Sequence, residues 1–242
     1  MKSISLLAVL AAAALAVLPA AAGEIRINPK AVVELFTSQG CSSCPKADAK
    51  FAQLQGREDV IALAWHVDYW DYIGWPDTFG APENSDRQRA YAESWGSSRI
   101  FTPQLIVNGT KGVVGSRETD VEGALAEARL DLPVHLELKG DMLKVSVAAK
   151  PGAGAAVVWL VTYRDHASVM IERGENAGKT IDYTQIVTGK QMLGAWEGGE
   201  GTTLKLPLSE LSANGSNGAV ILVQSDKEGL PGPILGAASI LL

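Results

Sequence analysis

Apolar residues form blocks along the first half of the chain, and each block has the length and spacing of one secondary-structure element. Ala31 to Thr37 is a nearly unbroken apolar run, which is typical of a strand buried in a parallel sheet. Apolar residues then recur at helical spacing up to Gly56, and Val60 to Val67 is a second apolar run. The pattern predicts a strand, a helix and a second strand. The segment C-S-S-C lies where the first strand leads into the helix.

The next segment is rich in aromatic residues and is interrupted by proline and glycine, which predicts an irregular insertion. A capping box of Ser85 and Gln88 predicts that a helix starts there and continues to about Trp95. Asn108-Gly109 between two apolar runs is a strong hairpin signal. A further helix is predicted over residues 119–130. The predicted order is therefore β-α-β, a helical insertion and β-β-α.

From Pro133 onwards the pattern changes to short alternating runs separated by glycine-rich turns. The first two runs flank Lys139-Gly140-Asp141, and three more follow before the C-terminus. Strands of this kind at short intervals are typical of an all-β sandwich. We therefore predict an α/β domain over residues 23–132 and a β-sandwich-like domain over residues 133–242.

The first 22 residues have the features of a secretory signal peptide. Lys2 provides a positive start, Ile4 to Leu18 is an uncharged apolar run, and Ala20-Ala21-Ala22 forms a cleavage pattern before Gly23. A membrane anchor is the alternative, but a spanning helix needs about 20 apolar residues. We expect cleavage, export to the periplasm and no stable membrane insertion of the mature protein.

The charge of the mature chain argues against a nucleic-acid partner. Removing residues 1–22 takes away one lysine and no acidic residue, so 20 basic and 27 acidic residues leave a net charge of −7. The basic residues do not cluster, as they would on a surface that binds phosphates.

The chain has only two cysteines, Cys41 and Cys44. A disulfide that closes so short a loop stabilises a fold by only about 2 kcal/mol in the chain-entropy model, so the pair is better suited to chemistry than to structure. At the start of a helix, the positive end of the helix dipole lowers the pKa of the first thiol. We expect Cys41 to be an exposed nucleophile and Cys44 the buried thiol that resolves a mixed disulfide.

Four segments resemble the secreted bacterial family catalogued as domain of unknown function 1223: residues 33–45, 65–75, 101–109 and 173–180. The resemblance implies a thioredoxin-like domain with a helical insertion, followed by a β-rich domain. The family has no established activity. From the wider thioredoxin superfamily, Cys41, Cys44 and Pro103 carry over by motif. A cis Thr102-Pro103 bond beside the disulfide is therefore expected, with Thr102 offering its backbone to a substrate.

Glu34 is a candidate catalytic residue, because a carboxylate in a central strand is desolvated and its pKa is raised. It could accept the proton of Cys44, as a buried acid does in thioredoxin, although it lies seven residues before Cys41 instead of six. The alternative is a hydrogen-bonded structural residue. Trp70 and Trp75 are candidates for the wall of a substrate groove, and packing in the core is their alternative role.

These features predict an exported thiol–disulfide oxidoreductase that acts on a protein or small-molecule thiol or disulfide. It would need no cofactor beyond the Cys41–Cys44 disulfide. A second hypothesis is a copper-handling protein that uses Cys41, Cys44 and His66, since thiolates select Cu(I). The third is a non-catalytic binding protein whose sandwich recognises a protein or glycan.

Overall fold

A computed structural model describes residues 24–242, so the predicted signal peptide lies outside the described residues. The twelve strands are β1 (Glu24–Ile27), β2 (Ala31–Thr37), β3 (Val60–His66), β4 (Gln104–Val107), β5 (Lys111–Val114), β6 (Val134–Lys139), β7 (Met142–Val147), β8 (Ala156–Met170), β9 (Thr180–Trp196), β10 (Thr202–Pro207), β11 (Gly218–Lys227) and β12 (Leu230–Leu241). The α-helices are α1 (Pro45–Gln55), α2 (Pro82–Ser94), α3 (Glu118–Glu127) and α4 (Leu208–Leu211). Asp71–Ile73 and Ala213–Gly215 form single 3-10 turns.

Nine strands from both halves of the chain form one mixed sheet in the order β1-β12-β11-β8-β9-β3-β2-β4-β5. The first-half strand β3 is parallel to β2 and also to β9 from the second half, and the other neighbours are antiparallel. The remaining strands form a three-stranded sheet in the order β10-β7-β6. Its apolar side packs on β8, β11 and β12 in one core.

The predicted fold class, an α/β thioredoxin-like domain followed by a separate β-sandwich, is wrong. The described residues are about 45% strand and 20% helix, and strands of both halves share a sheet. Apolar periodicity predicts that a strand is buried but not which strand it pairs with, and the pairing of β9 with β3 links residues far apart in sequence. The boundary at 132/133 lies between α3 and β6, and the division into two folding units stays a prediction.

The two faces of β2 and β3 are covered by different helices, and this decides which side chains meet. Val33 and Leu35 point to one face, where they pack with residues of α1 and α3. Val32 and Phe36 point to the other face and pack with Tyr91 of α2. Since side chains alternate along a strand, Glu34 shares the α2 face and Thr37 shares the α1 face.

Several local predictions are confirmed. β2 has the predicted bounds, and Asn108-Gly109 forms the hairpin turn with φ of 48° and 68°. The predicted start of the second helix is wrong, because α2 begins at Pro82 and Ser85 lies inside it. Within residues 24–242, no helix is long and apolar enough to cross a bilayer.

Candidate functional site

Cys41 and Cys44 form a disulfide in the turn between β2 and α1. The turn is closed by hydrogen bonds from the Cys41 amide to the Ser38 carbonyl and from the Cys44 amide to the Cys41 carbonyl. Helix α1 begins only at Pro45, so Cys44 is its N-cap. Cys41 is 1% exposed and Cys44 is fully buried, so the prediction of an exposed Cys41 is wrong.

A loop from the second half of the chain covers the disulfide. Strands β8 and β9 form a long hairpin whose loop, residues 171–179, we call the hairpin tip. Asn176 of the tip is 1% exposed, and its side-chain amide donates to the carbonyls of Gln39 (2.9 Å) and Cys41 (3.0 Å). The tip therefore packs against the turn that carries the disulfide. A Cβ at Gly174 would lie 3.3 Å from Trp75 Cβ. The tip therefore also packs closely on the aromatic-rich segment between β3 and α2, which we call the aromatic insertion.

A buried acid lies beside the disulfide, one helical turn after Cys44. The Asp48 amide donates to the Cys44 carbonyl (3.0 Å), so both residues lie on the same side of α1. One carboxylate oxygen of Asp48 accepts from the Thr37 hydroxyl (2.8 Å), and the other has no hydrogen-bond partner among the described residues. Burial raises the pKa of Asp48 to about 7, despite the opposing effects of His66 and Thr37.

His66 and Asp77 complete a group of buried polar residues on this face. His66 Nδ1 lies 2.8 Å from Asp77 Oδ2, and both side chains are fully buried. The rings of Phe79 and Tyr183 pack edge-on against the imidazole. Neither His66 Nε2 nor the Tyr183 hydroxyl has a hydrogen-bond partner within residues 24–242. We call Thr37, Asp48, His66, Asp77 and Tyr183 the buried polar cluster.

Gln39 joins the cysteine turn to the aromatic insertion. The backbone amide of Gln39 donates to Asp77 Oδ2 (2.8 Å). Its side-chain nitrogen donates to the Thr78 hydroxyl, and its side-chain oxygen accepts from the Thr78 backbone amide. The indole of Trp75 donates to the side-chain oxygen of Gln39 (2.8 Å). The carboxylate that orients His66 therefore also holds the backbone of the turn.

Thr102-Pro103 has a cis peptide bond, as predicted from its position before β4. The indole of Trp70 donates to the Thr102 hydroxyl (2.7 Å), and a Cβ at Gly40 would lie 3.1 Å from Trp70 Cβ. Trp70 therefore bridges the cysteine turn and the Thr102-Pro103 segment. Both predicted groove residues, Trp70 and Trp75, are half-buried and hydrogen-bonded at this site.

The structure places Glu34 away from this cluster, on the α2 face of the sheet. Its carboxylate accepts from Arg87 (2.8 Å) and from the Tyr91 hydroxyl (2.5 Å), and all three side chains are buried. Gln224 also bonds to Tyr91, which ties the group to β11. Because a guanidinium occupies the position beside Glu34, the structural role is the one these contacts support.

The predicted copper ligands do not come together as a free set. Both sulfurs are bonded to each other, and His66 Nδ1 is paired with Asp77. Within residues 24–242, no group of three or more His, Cys, Asp or Glu side chains is arranged to hold a metal ion.

The chain matches known proteins over most of its length. A family model described as "Protein of unknown function (DUF1223)" matches residues 32–224. A crystal structure of a protein from Agrobacterium tumefaciens is 35% identical, with a TM-score of 0.78 over 89% of this chain and 95% of that chain. HBP35 of Porphyromonas gingivalis is 13% identical, with a TM-score of 0.56 over 88% and 75%, so this likeness concerns the fold alone. No curated protein matches the chain.

Proposed function

The chain belongs to the DUF1223 family, as its sequence motifs predicted, and we propose that it is an exported thiol–disulfide oxidoreductase whose redox centre is the Cys41–Cys44 disulfide. The observation that carries this proposal is the placement of Asp48, a buried acid whose pKa is raised to about 7 by burial, one helical turn after Cys44 of that disulfide. Thiol–disulfide exchange needs the resolving thiol as a thiolate, and an acceptor that titrates near neutral pH assists its deprotonation.

The exchange is balanced in electrons and protons. In the reduced protein, the Cys41 thiolate attacks a substrate disulfide, forms a mixed disulfide and releases one substrate thiolate. The Cys44 thiol then loses its proton, attacks the Cys41 sulfur and releases the second thiolate. The substrate gains two electrons and the protein regains its internal disulfide. In the reverse direction the protein oxidises a dithiol.

The surroundings of the two sulfurs support this assignment of roles. Cys41 Sγ lies 3.4 Å from the Ser43 hydroxyl, which can donate to a thiolate. Ser42 and Ser43 are exposed, so Cys41 is one residue away from the surface. Cys44 is the N-cap of α1, on the same side of the helix as Asp48. The free oxygen of the Asp48 carboxylate is the acceptor we propose for the proton of Cys44.

Access to the disulfide requires movement of the hairpin tip. The tip is held to the cysteine turn by two hydrogen bonds from the Asn176 amide. Each such bond contributes about 1 kcal/mol net, so breaking the two of them costs about 2 kcal/mol in addition to the loss of packing on Trp75. We propose that a protein or small-molecule thiol or disulfide enters from this side, next to Trp70 and Trp75.

The reduction potential of the pair tests the proposal. The mature protein is equilibrated in dithiothreitol and glutathione buffers, and the free thiols are counted by alkylation. A value between about −120 and −270 mV is expected, the range of known exchangers. A value below about −300 mV, where structural disulfides lie, would contradict the proposal.

Trapping in cells is the second arm. A Cys44→Ser variant should accumulate mixed disulfides on Cys41, since the resolving thiol is absent. The double variant Cys41→Ser, Cys44→Ser is the matched control and should carry none. If the single variant is equally free of adducts, Cys41 does not attack other disulfides and the proposal fails.

A further inference from the structure

A cavity of about 920 Å³ lies on the face of the large sheet that is opposite to α1 and the disulfide. It is enclosed by α2, by strands β8 and β9, and by the turn between β11 and β12. Its size is at the upper end of the range for small-molecule sites, about 300–1,000 Å³. The disulfide chemistry proposed above makes no use of it.

The walls of the cavity combine large apolar surfaces with basic groups. Trp65, Phe79 and Trp159 contribute aromatic rings. The Lys190 ammonium lies 4.0 Å from the centroid of the Trp159 ring, and the Arg164 guanidinium lies 5.8 Å from that of Phe79. Each cation thus lies over an aromatic ring, which is a favourable position for a positive charge.

Arg164 and Lys190 are not neutralised by acidic neighbours. Within residues 24–242, neither Arg164 nor Lys190 has a carboxylate within 4.0 Å. Arg87 also lines the cavity, but it is paired with Glu34. Partial burial, followed by the charge of Arg87, lowers the pKa of Lys190 to about 8, although the charge of Glu34 opposes this shift.

The acidic residues of the cavity lie at its rim. Glu83, Asp86 and Asp226 are all exposed. Asp86 is paired with Arg89, and Asp226 accepts from the Gly229 amide, so both are engaged in contacts of their own. Lys190 is likewise exposed, so it is accessible to a ligand that enters the cavity from solvent.

We propose that this cavity binds a small organic anion, a carboxylate with a flat apolar body. The carboxylate would pair with Lys190 where its ammonium lies over the Trp159 ring, while the body packs against the aromatic rings. An ion pair of this kind strengthens a hydrogen bond and fixes the orientation of the ligand, whereas the apolar body contributes buried surface. The occupant is chosen by charge complementarity with Lys190 and Arg164, the two lining cations that have no carboxylate partner among the described residues.

Calorimetric titration of the oxidised mature protein tests the proposal, with naphthalene-2-carboxylate as the probe. Naphthalene-2-carboxamide has nearly the same shape and no charge. The carboxylate is expected to bind at least about tenfold more tightly than the amide, the value of one charge-assisted contact. Equal affinities, or no heat of binding at millimolar carboxylate, would overturn the proposal.

Variants locate the site. Lys190→Met should remove most of the preference for the carboxylate, and Lys190→Arg should retain it. Lys205→Met is the matched control, because Lys205 is an exposed strand lysine on β10 in the other sheet. A preference that survives Lys190→Met, or one that is lost equally in Lys205→Met, would place binding elsewhere and refute the assignment. None of these results depends on the redox state of the cysteines.

Discussion

The substitution Asp48→Asn is the sharpest test of the buried acid. The amide has nearly the same shape as the carboxylic acid and keeps an oxygen for the Thr37 hydroxyl, but it cannot carry a negative charge. We expect the variant to be more stable than the parent protein at pH 8 and to lose this advantage at pH 4. The disulfide stays oxidised throughout, so the experiment isolates the acid from the redox chemistry.

The magnitude follows from the shift in pKa. Burial raises the pKa of Asp48 from 3.8 to about 7, so the folded state retains a proton that the unfolded state releases between these values. Stability therefore falls as pH rises from about 4 to about 7, by about 1.4 kcal/mol per pH unit. The full loss is on the order of 4 kcal/mol at pH 8, and Asp48→Asn should be spared it.

The titration of His66 also lowers the stability of the folded protein as pH rises. Burial lowers the pKa of His66, but the carboxylates of Asp77 and Asp48 together outweigh burial and raise it above its ordinary value. The stability contributed by the protonated imidazole is present below its unfolded pKa and is lost as pH rises through the folded one. Removing the charge of Asp48 lowers the pKa of His66. Both effects make the parent protein lose stability more steeply with pH than the variant.

Urea unfolding followed by tryptophan fluorescence at intervals from pH 4 to pH 8.5 measures the difference. The free energy of unfolding of Asp48→Asn minus that of the parent should rise across this range and level off above pH 7. Asp141→Asn is the control, because Asp141 is exposed in the turn between β6 and β7. A difference that stays constant with pH for Asp48→Asn would mean that this carboxyl titrates normally, and the proposed proton acceptor would be lost.

Three further perturbations test other parts of the structure. Asn176→Ala removes two hydrogen bonds to the cysteine turn and should speed reduction of the disulfide by dithiothreitol between about five- and thirtyfold, whereas Asn217→Ala should not. Glu34→Gln leaves Arg87 buried without its countercharge, so it should cost about 3–5 kcal/mol in urea unfolding yet leave the pH profile of cysteine alkylation superimposable on the parent. Gly109→Ala should lower stability by about 1–3 kcal/mol in the same assay, since φ is 68° and its Cβ would lie 2.6 Å from the Gly232 carbonyl oxygen.

Sequence reasoning succeeded where an element is determined by its own residues. The apolar run Ala31–Thr37 is β2, and Asn108-Gly109 is a hairpin turn because both residues accept positive φ. The capping box at Ser85 failed because Ser85 bonds to Asp68 instead, and Pro82 starts the helix earlier. A local motif cannot exclude a tertiary partner for the same side chain.

Only part of the candidate site could be predicted from the sequence. Cys41 and Cys44 are apparent from spacing, and Asp48 could have been identified because it is four residues after Cys44 on a helix that buries Ala47 and Phe51. Asn176 lies in the family motif of residues 173–180, but no local pattern could place it at the cysteine turn, which is 135 residues away in sequence. The exposure predicted for Cys41 failed for this reason: the covering element belongs to the other half of the chain.

The cover and the buried polar cluster are consistent with one another. A polar atom buried without a partner costs about 1–3 kcal/mol, and Asp48, His66 and Tyr183 each contribute one such atom among the described residues. A disulfide that served only to close a four-residue turn would gain nothing from them. Burial does, however, raise the pKa of Asp48 to about 7, and the hairpin tip is bound to the backbone of the turn that carries the disulfide. The burial that contradicted an exposed Cys41 is therefore also the condition that raises the pKa of Asp48, and under the proposed function opening of the tip would couple substrate entry to proton transfer.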